Sequence, residues 1–163
     1  IEDRIMIKAY GQGLKLLDAP KVKVFNVGPE FLEALNPTVE EGRLQVPVTH
    51  VVPAAIMGSG LGRNHVASGD YDITLFCRET CEEYGLEDLC LGDLVAIKDA
   101  DQSYGRIYRK GSMSVGIVSH CNSYVAGHGP GVTTLFTSKD GNIDPVIDSG
   151  ANIAKIMKLR DDI

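Results

Sequence analysis

The sequence predicts a mainly β domain, barrel-like or sandwich-like, with two or three short helices that include one at the C-terminus. Three observations support this fold class: short apolar segments of alternating pattern, frequent turn residues, and a final segment with helical spacing. Glycine accounts for 18 of the 163 residues, which indicates many tight turns. The length is typical of one hydrophobic core, so we expect residues 1–163 to form a single β-rich domain.

Strand patterns recur along most of the chain. At 4–10, apolar residues alternate with polar ones, which predicts a half-buried strand near the start. Glycine, proline and Gly-Asp turns separate the later apolar segments, as expected for strands joined by short connections. The remaining predicted strands lie at 21–25, 44–52, 71–76, 94–97, 114–119 and 132–138.

Three segments have helical patterns. Residues 29–35 begin with proline, which is favoured at the first helical position. Residues 78–84 are followed by Gly85, a typical helix stop. In 151–159, apolar residues recur at spacings of three and four, so we expect a final amphipathic helix that packs on the sheet.

Charge and cysteine content restrict the class of partner. The chain has 16 Lys and Arg against 22 Asp and Glu, and the net charge of −6 repels phosphate groups and anionic lipids. We therefore expect no nucleic-acid or membrane partner. The four cysteines are expected to be free thiols, which fits a cytoplasmic location.

The chain opens at Ile1, directly in a strand-like pattern and without a starting methionine. We expect it to be the C-terminal portion of a longer protein. Its own N-terminal portion is then one expected partner. A homo-oligomer is another expectation.

Several long stretches resemble a known family. They are MGSGLGRNHVASGDYDITLF at 57–76, LGDLVAIKDADQSYGR at 91–106, VSHCNSYVAGHGPGVTTLFTSKDG at 118–141 and IDSGANIAKIM at 147–157, with IMIKAYGQGLKLLD at 5–18. Together these stretches are similar to the bacterial and archaeal proteins grouped as domain of unknown function 4438. The resemblance implies a β-rich fold and a further N-terminal portion, and it brings no established activity.

The sequence also resembles, more weakly, the acetamidase and formamidase family. Its members have a similar order of strand, Gly-Asp turn and glycine-rich loop, although the spacing around Gly92-Asp93 and Gly127-His128-Gly129 differs here. This similarity implies hydrolysis of a small amide as the reaction class.

Histidines and aspartates next to glycine-bounded turns are the candidate reactive groups. They are His65, Asp70, Asp72, Asp93, Asp99, Asp101, His120 and His128. Imidazole and carboxylate are common ligands of a divalent ion such as zinc, which activates water. The alternative is that the carboxylates are solvated turn residues. The predicted metal ligands are His65, Asp70, His120 and His128, and the predicted catalytic residues are His120, His128, Asp93 and Asp101.

The glycine-rich loop is a candidate binding element for a small-molecule ligand. Backbone N–H groups at Gly127, Gly129 and Gly131 could approach an anion or a substrate without obstruction by side chains. Arg63 and Arg106 would orient that substrate. The alternative is a tight β connection in which the glycines adopt positive φ angles.

Two functions therefore follow from the sequence. The first is a metal-assisted hydrolase that acts on a small amide or another C–N substrate. The alternative is a non-catalytic β domain that assembles into an oligomer or binds a small anion.

Overall fold

A computed structural model describes residues 13–159 and shows a mainly β fold. The strand predicted at 4–10 lies outside the described residues. The strands are β1 Lys23–Val24, β2 Thr38–Glu40, β3 Arg43–Val48, β4 His50–Pro53, β5 Tyr71–Asp72, β6 Leu94–Asp101, β7 Ile107–His120, β8 Gly131–Ser138 and β9 Ile143–Ile147. The helices are α1 Pro29–Leu35, α2 Arg78–Tyr84 and α3 Ile153–Ile156, with single 3₁₀ turns at Ala54–Ile56 and Leu86–Asp88.

The strands form two sheets. The larger sheet has the order β1-β8-β7-β6-β4, and β5 also pairs with β8. The smaller sheet has the order β2-β3-β9. Pairing is antiparallel except between β3 and β9 and between β4 and β6. Within the described residues the sheets do not close into a barrel, so of the two predicted architectures the sandwich is the one that fits.

The main core lies between the two sheets. It combines Leu44 and Val46 of β3 with Leu94 of β6 and Phe136 of β8, and all four side chains are buried. A second core lies on the opposite face of the larger sheet, where Val95 of β6 is buried. Neighbouring residues of β6 thus enter different cores, because successive side chains of a strand point to opposite faces.

The helix ends follow the sequence. Gly85 ends α2 with a φ of 65°, a left-handed conformation that suits glycine, as predicted. Asn152 caps α3 by accepting a hydrogen bond from Ala154 N at 2.9 Å. The predicted C-terminal helix is confirmed, but it is shorter than 151–159 because the chain turns at Lys158, whose φ is 50°.

The four cysteines are unpaired, in agreement with the prediction of free thiols. Among residues 13–159, none of the helices has the length and apolar character required to span a bilayer. The ends of β5, β7 and β8 meet at one side of the larger sheet. The loops 58–70 and 120–131 join this side, and they carry most of the candidate reactive residues.

Candidate functional site

Asp70, Asp72 and His120 form a compact cluster. Each side chain offers one potential ligand atom, and these atoms all lie within 4.8 Å of one another. His120 Nε2 is 2.5 Å from Asp70 Oδ2 and 3.7 Å from Asp72 Oδ1. Asp72 is buried, whereas Asp70 and His120 are partly exposed. The cluster is therefore accessible from solvent on one side only.

Gly131 explains how side chains from two separate strands can meet. In the registers of β8, Gly131 pairs with Asp72 of β5 on one side and with His120 of β7 on the other. Residues directly opposite one another in antiparallel strands point to the same face, so the two flanking side chains lean over the glycine. A Cβ at Gly131 would overlap both His120 Nε2 and Asp70 Oδ2. Only glycine leaves room for this cluster.

Local backbone geometry sets the direction of the three side chains. Asp70 and Asp72 flank Tyr71, and alternation along an extended chain places both carboxylates on one side while Tyr71 enters the second core. The β7–β8 register shifts between Val118 and His120, which indicates a bulge before His120. Bulges of this kind redirect a side chain at the end of a sheet.

The hydrogen bond of His120 assigns its tautomer. Nδ1 lies 2.8 Å from the carbonyl oxygen of Cys121, and because a carbonyl only accepts, Nδ1 must donate. In neutral His120, Nε2 then carries a lone pair that faces two carboxylates. The Cys121 carbonyl, together with Asp70 and Asp72, raises the pKa of His120 above its usual value. The position next to Nε2 therefore favours a cation, either a proton or a metal ion.

His128 joins the cluster through Asp72. Its Nδ1 donates to Asp72 Oδ2 at 3.0 Å, and the backbone N–H of Gly129 donates to the same oxygen at 3.4 Å. Asp72 therefore contacts one histidine through each carboxylate oxygen. His128 is partly exposed, and its Nε2 is oriented by the bond at Nδ1.

The glycine-rich loop approaches neighbouring backbone closely. A Cβ at Gly129 would overlap the carbonyl oxygen of Ile73, and one at Gly58 would overlap the carbonyl oxygen of Gly127. Gly127 has a φ of 78°, and its carbonyl accepts a hydrogen bond from Ser59 N at 2.6 Å. These contacts match the tight β connection that was the alternative to a ligand cradle, since the N–H of Gly129 binds Asp72.

Asp93 is not part of the cluster of Asp70, Asp72 and His120, although its backbone carbonyl accepts a hydrogen bond from Val118 N of β7 at 2.9 Å. Asn152 Nδ2 donates to Asp93 Oδ1 at 2.8 Å, and Cys90 N donates to Asp93 Oδ2 at 2.8 Å. Both carboxylate oxygens are thus used to join the turn before β6 to the start of α3. The acids beside the histidines come from β5 and the residue before it.

Asp101 and His65 also lie outside the cluster. Asp101 is buried at the end of β6, where it accepts a hydrogen bond from Ser103 N at 2.9 Å and lies 3.8 Å from Arg109 Nη1. These contacts stabilise the turn between β6 and β7. His65 is exposed in the loop that precedes Asp70.

The two arginines expected to orient a substrate differ in exposure. Arg63 is exposed, and its guanidinium lies beside Gly69. Arg106 is 0% exposed, so it does not line the surface of the site. Its Nη2 donates to the backbone carbonyls of Ser68 and Gly69 at 3.4 and 3.1 Å.

One groove in the described part of the protein is separate from the cluster. It has a volume of 790 Å³, and its walls include His50, Cys90, Asp93 and Asn152. None of the residues that line it belongs to the cluster of Asp70, Asp72 and His120. This groove therefore does not enclose the cluster.

Asp72 is the central residue of the cluster; it is among the candidate carboxylates in the sequence, but it is not one of the four predicted metal ligands. The signal that identifies it is the Asp-Tyr-Asp pattern at 70–72, in which a buried aromatic residue separates two acids on the same face. The pairing of Asp72 with Gly131 is a long-range contact, and no local pattern reveals it.

Comparison with known proteins identifies the family. Residues 34–157 match the family model described as Domain of unknown function (DUF4438), C-terminal, and residues 1–33 match the N-terminal model of the same family. The crystal structure of TM1086 is similar to this chain, with 48% sequence identity and a TM-score of 0.81. The match covers 88% of this chain and 50% of that one, so the chain spans about half the length of the solved protein. No curated protein matches. The chain therefore belongs to the DUF4438 family.

Proposed function

We propose that this domain binds one divalent metal ion through Asp70, Asp72 and His120, and that the ion activates water to hydrolyse a C–N bond in a small substrate. The observation that carries the proposal is the orientation of His120. Its Nδ1 is occupied by the Cys121 carbonyl, so its Nε2 lone pair faces two carboxylates and requires a cation between them.

The donor set suits a borderline or hard divalent ion. Zinc accepts imidazole nitrogen and carboxylate oxygen at about 2.0–2.2 Å, so adjacent ligand atoms on one ion are roughly 3 Å apart. The two distances from His120 Nε2 to the carboxylates, 2.5 and 3.7 Å, lie on either side of that value. Small side-chain shifts would admit the ion. The backbone carbonyl at Nδ1 is the outer contact that metal-binding histidines commonly have.

Three protein ligands leave coordination positions for water. A metal ion lowers the pKa of bound water, so that hydroxide forms near neutral pH. The solvent-exposed side of the cluster is open to such a water and to a substrate.

His128 is the proposed general base. Asp72 fixes its ring through Nδ1, which leaves Nε2 free to accept a proton from water. In this reaction the water oxygen bonds to the amide carbon, the C–N bond breaks, and the nitrogen leaves with the proton that His128 held. One amide and one water thus yield one carboxylic acid and one amine. Asp72 would act on both histidines, because each of its oxygens faces one of them.

A small amide or related C–N compound is the proposed substrate class. Support comes from the similarity to the acetamidase and formamidase family in the order of strand, Gly-Asp turn and glycine-rich loop.

The first test is metal content and affinity. Wild-type protein and the His120→Ala variant are dialysed against Zn²⁺ or Mn²⁺, and the bound metal is quantified. We expect about one ion per wild-type chain and a large loss in the variant. Wild-type protein that retains no ion at saturating concentration contradicts the proposal.

The second test is hydrolysis. Metal-loaded wild-type protein and His128→Gln are incubated with a panel of short amides, and release of ammonia or amine is measured. We expect metal-dependent release that His128→Gln lowers by about 10²–10⁴-fold while metal content stays unchanged. Metal binding without hydrolysis of any panel member would favour the alternative, a non-catalytic binding domain.

A further inference from the structure

We infer that Arg106 is a positioning residue. From its buried position it forms hydrogen bonds with both ends of the loop 62–69 and thereby holds Asp70 in place as a metal ligand. The inference rests on the proposed metal site. Arg106 would act through Asp70 without contacting the ion or the substrate.

Arg106 is an unusual buried residue. It is the largest side chain in the described part of the protein that is fully buried, with 0% exposure. Within that part of the chain, its Nε and Nη1 have no hydrogen-bond partner. Burial of a charge without a paired partner is costly, so such a residue is expected to serve a specific role.

The contacts of Arg106 hold both ends of one loop. Its backbone N donates to Arg63 O at 3.0 Å, and its carbonyl accepts from Gly62 N at 2.7 Å. Its Nη2 donates to Gly69 O at 3.1 Å and to Ser68 O at 3.4 Å. Arg106 therefore binds the start of the loop 62–69 through its backbone and the end of that loop through its side chain.

Asp70 follows directly after the fastened end. The carbonyl of Asp70 also packs against Gly60, where a Cβ would overlap it. The backbone of Asp70 is thus held from two directions, and its carboxylate reaches His120 Nε2. A positioned first ligand matters because a misplacement of about 1 Å weakens a site strongly.

Charge supports the same role. Burial lowers the pKa of Arg106, and the carboxylates of Asp70 and Asp72 act in the opposite direction, so the guanidinium interacts with both acids. Two ionised carboxylates side by side repel one another, and a nearby fixed cation reduces that cost.

The test compares Arg106→Met, Arg106→Lys and the control Arg109→Met. Arg109 is partly exposed and contacts Asp101 rather than the loop 62–69. Zinc affinity is measured by titration, and Co²⁺ bound in place of zinc reports coordination geometry by its visible absorption. We expect Arg106→Met to weaken zinc binding by about 10–100-fold and to alter the Co²⁺ spectrum, while Arg109→Met does neither.

A double-mutant cycle separates positioning from general stability. If Arg106 acts through Asp70, then Arg106→Met in an Asp70→Asn background has little further effect on zinc affinity. An equal, additive loss in both backgrounds overturns the inference. If Arg106→Met does not fold, Arg106→Lys serves as the test, because lysine keeps the charge and loses Nη2, which donates to both Ser68 O and Gly69 O. We expect it to weaken zinc binding, and an unchanged affinity with an unchanged Co²⁺ spectrum overturns the inference.

The two proposals fail differently. Wild-type protein that binds no zinc removes the proposed function, and with it the basis of the role of Arg106. Wild-type protein that binds zinc, with Arg106→Met equal to it in affinity and Co²⁺ spectrum, overturns the role of Arg106 alone.

Discussion

Asp72 and His120 lie on opposite sides of Gly131, and their side chains meet above it, with His120 Nε2 3.7 Å from Asp72 Oδ1. They belong to β5 and β7, strands that do not pair with each other but both pair with β8. The cluster therefore depends on the register of three strands. Any change that alters this register or fills the space above Gly131 should affect metal binding before it affects the core.

Removal of the imidazole at 120 tests the metal ligand directly. We expect His120→Ala to lower zinc affinity by more than about 100-fold, because the loss of a direct ligand exceeds the effect of an outer contact. The fold should persist, since His120 is partly exposed. His65→Ala is the matched control: His65 is exposed and lies outside the cluster, so zinc affinity should not change. Equal losses in the two variants would contradict the assignment, as measured by calorimetric titration.

Substitution of Gly131 by alanine tests whether the cluster needs the space that glycine leaves above β8. We expect Gly131→Ala to abolish zinc binding, because its Cβ would overlap His120 Nε2 and Asp70 Oδ2. The backbone at Gly131 can accept alanine without a positive φ, so circular dichroism should remain that of the folded protein. Gly150→Ala is the control, since Gly150 also lacks a positive φ and lies near Asp148 rather than the cluster. Normal zinc binding by Gly131→Ala would show that the cluster is not the site.

The pKa of His120 predicts the sign of two pH effects. Because its folded pKa is raised, the protonated form stabilises the metal-free fold. That contribution is complete below the unfolded pKa of about 6.5 and is lost as pH rises through the folded pKa. A metal ion displaces the same proton, so zinc affinity should fall as pH falls through the raised pKa. Titrations between about pH 5.5 and 8.5 check this, and a pH-independent affinity would argue against His120 as a ligand.

Asp93 should be a structural residue rather than a catalytic one. Its carboxylate accepts hydrogen bonds from Asn152 Nδ2 and Cys90 N, and Asp93→Ala removes both, while Asn152 keeps its bond to the carbonyl of Leu91. We expect Asp93→Ala to lower the free energy of unfolding by about 3 kcal/mol, with unchanged zinc affinity per folded molecule. Urea denaturation of Asp93→Ala, Asn152→Ala and the double variant measures the coupling between the two residues. If Asp93→Ala loses zinc binding and keeps its free energy of unfolding, Asp93 belongs to the metal site and the structural assignment is wrong.

Local rules explain which elements were predictable. The helix at 29–35 begins at a proline, and α2 ends at Gly85 in the left-handed region, so chemistry at a single position sets each boundary. The C-terminal helix is shorter than its apolar spacing indicates, because the turn at Lys158 ends it and periodicity does not report such a turn. Periodicity also does not distinguish a barrel from a sandwich, since that depends on which strands pair.

The composition of the site was partly predictable, but its assembly was not. His120, His128 and Asp70 have the residue types and glycine-rich surroundings of a reactive loop, and the structure brings them together. Asp93 has similar surroundings in sequence, yet it binds Asn152, 59 residues away. Only the three-dimensional pairing separates a carboxylate that completes the cluster from one that stabilises a turn.

The most direct test is a crystal structure of the protein grown with Zn²⁺ and recorded at the zinc absorption edge. The proposal predicts one anomalous peak bonded to His120 Nε2 and to an oxygen from each of Asp70 and Asp72, at about 2.0–2.2 Å. It also predicts that Nδ1 of His120 keeps its bond to the Cys121 carbonyl. A fully occupied zinc ion elsewhere on the protein, with His120 and both acids in their metal-free positions, would contradict it.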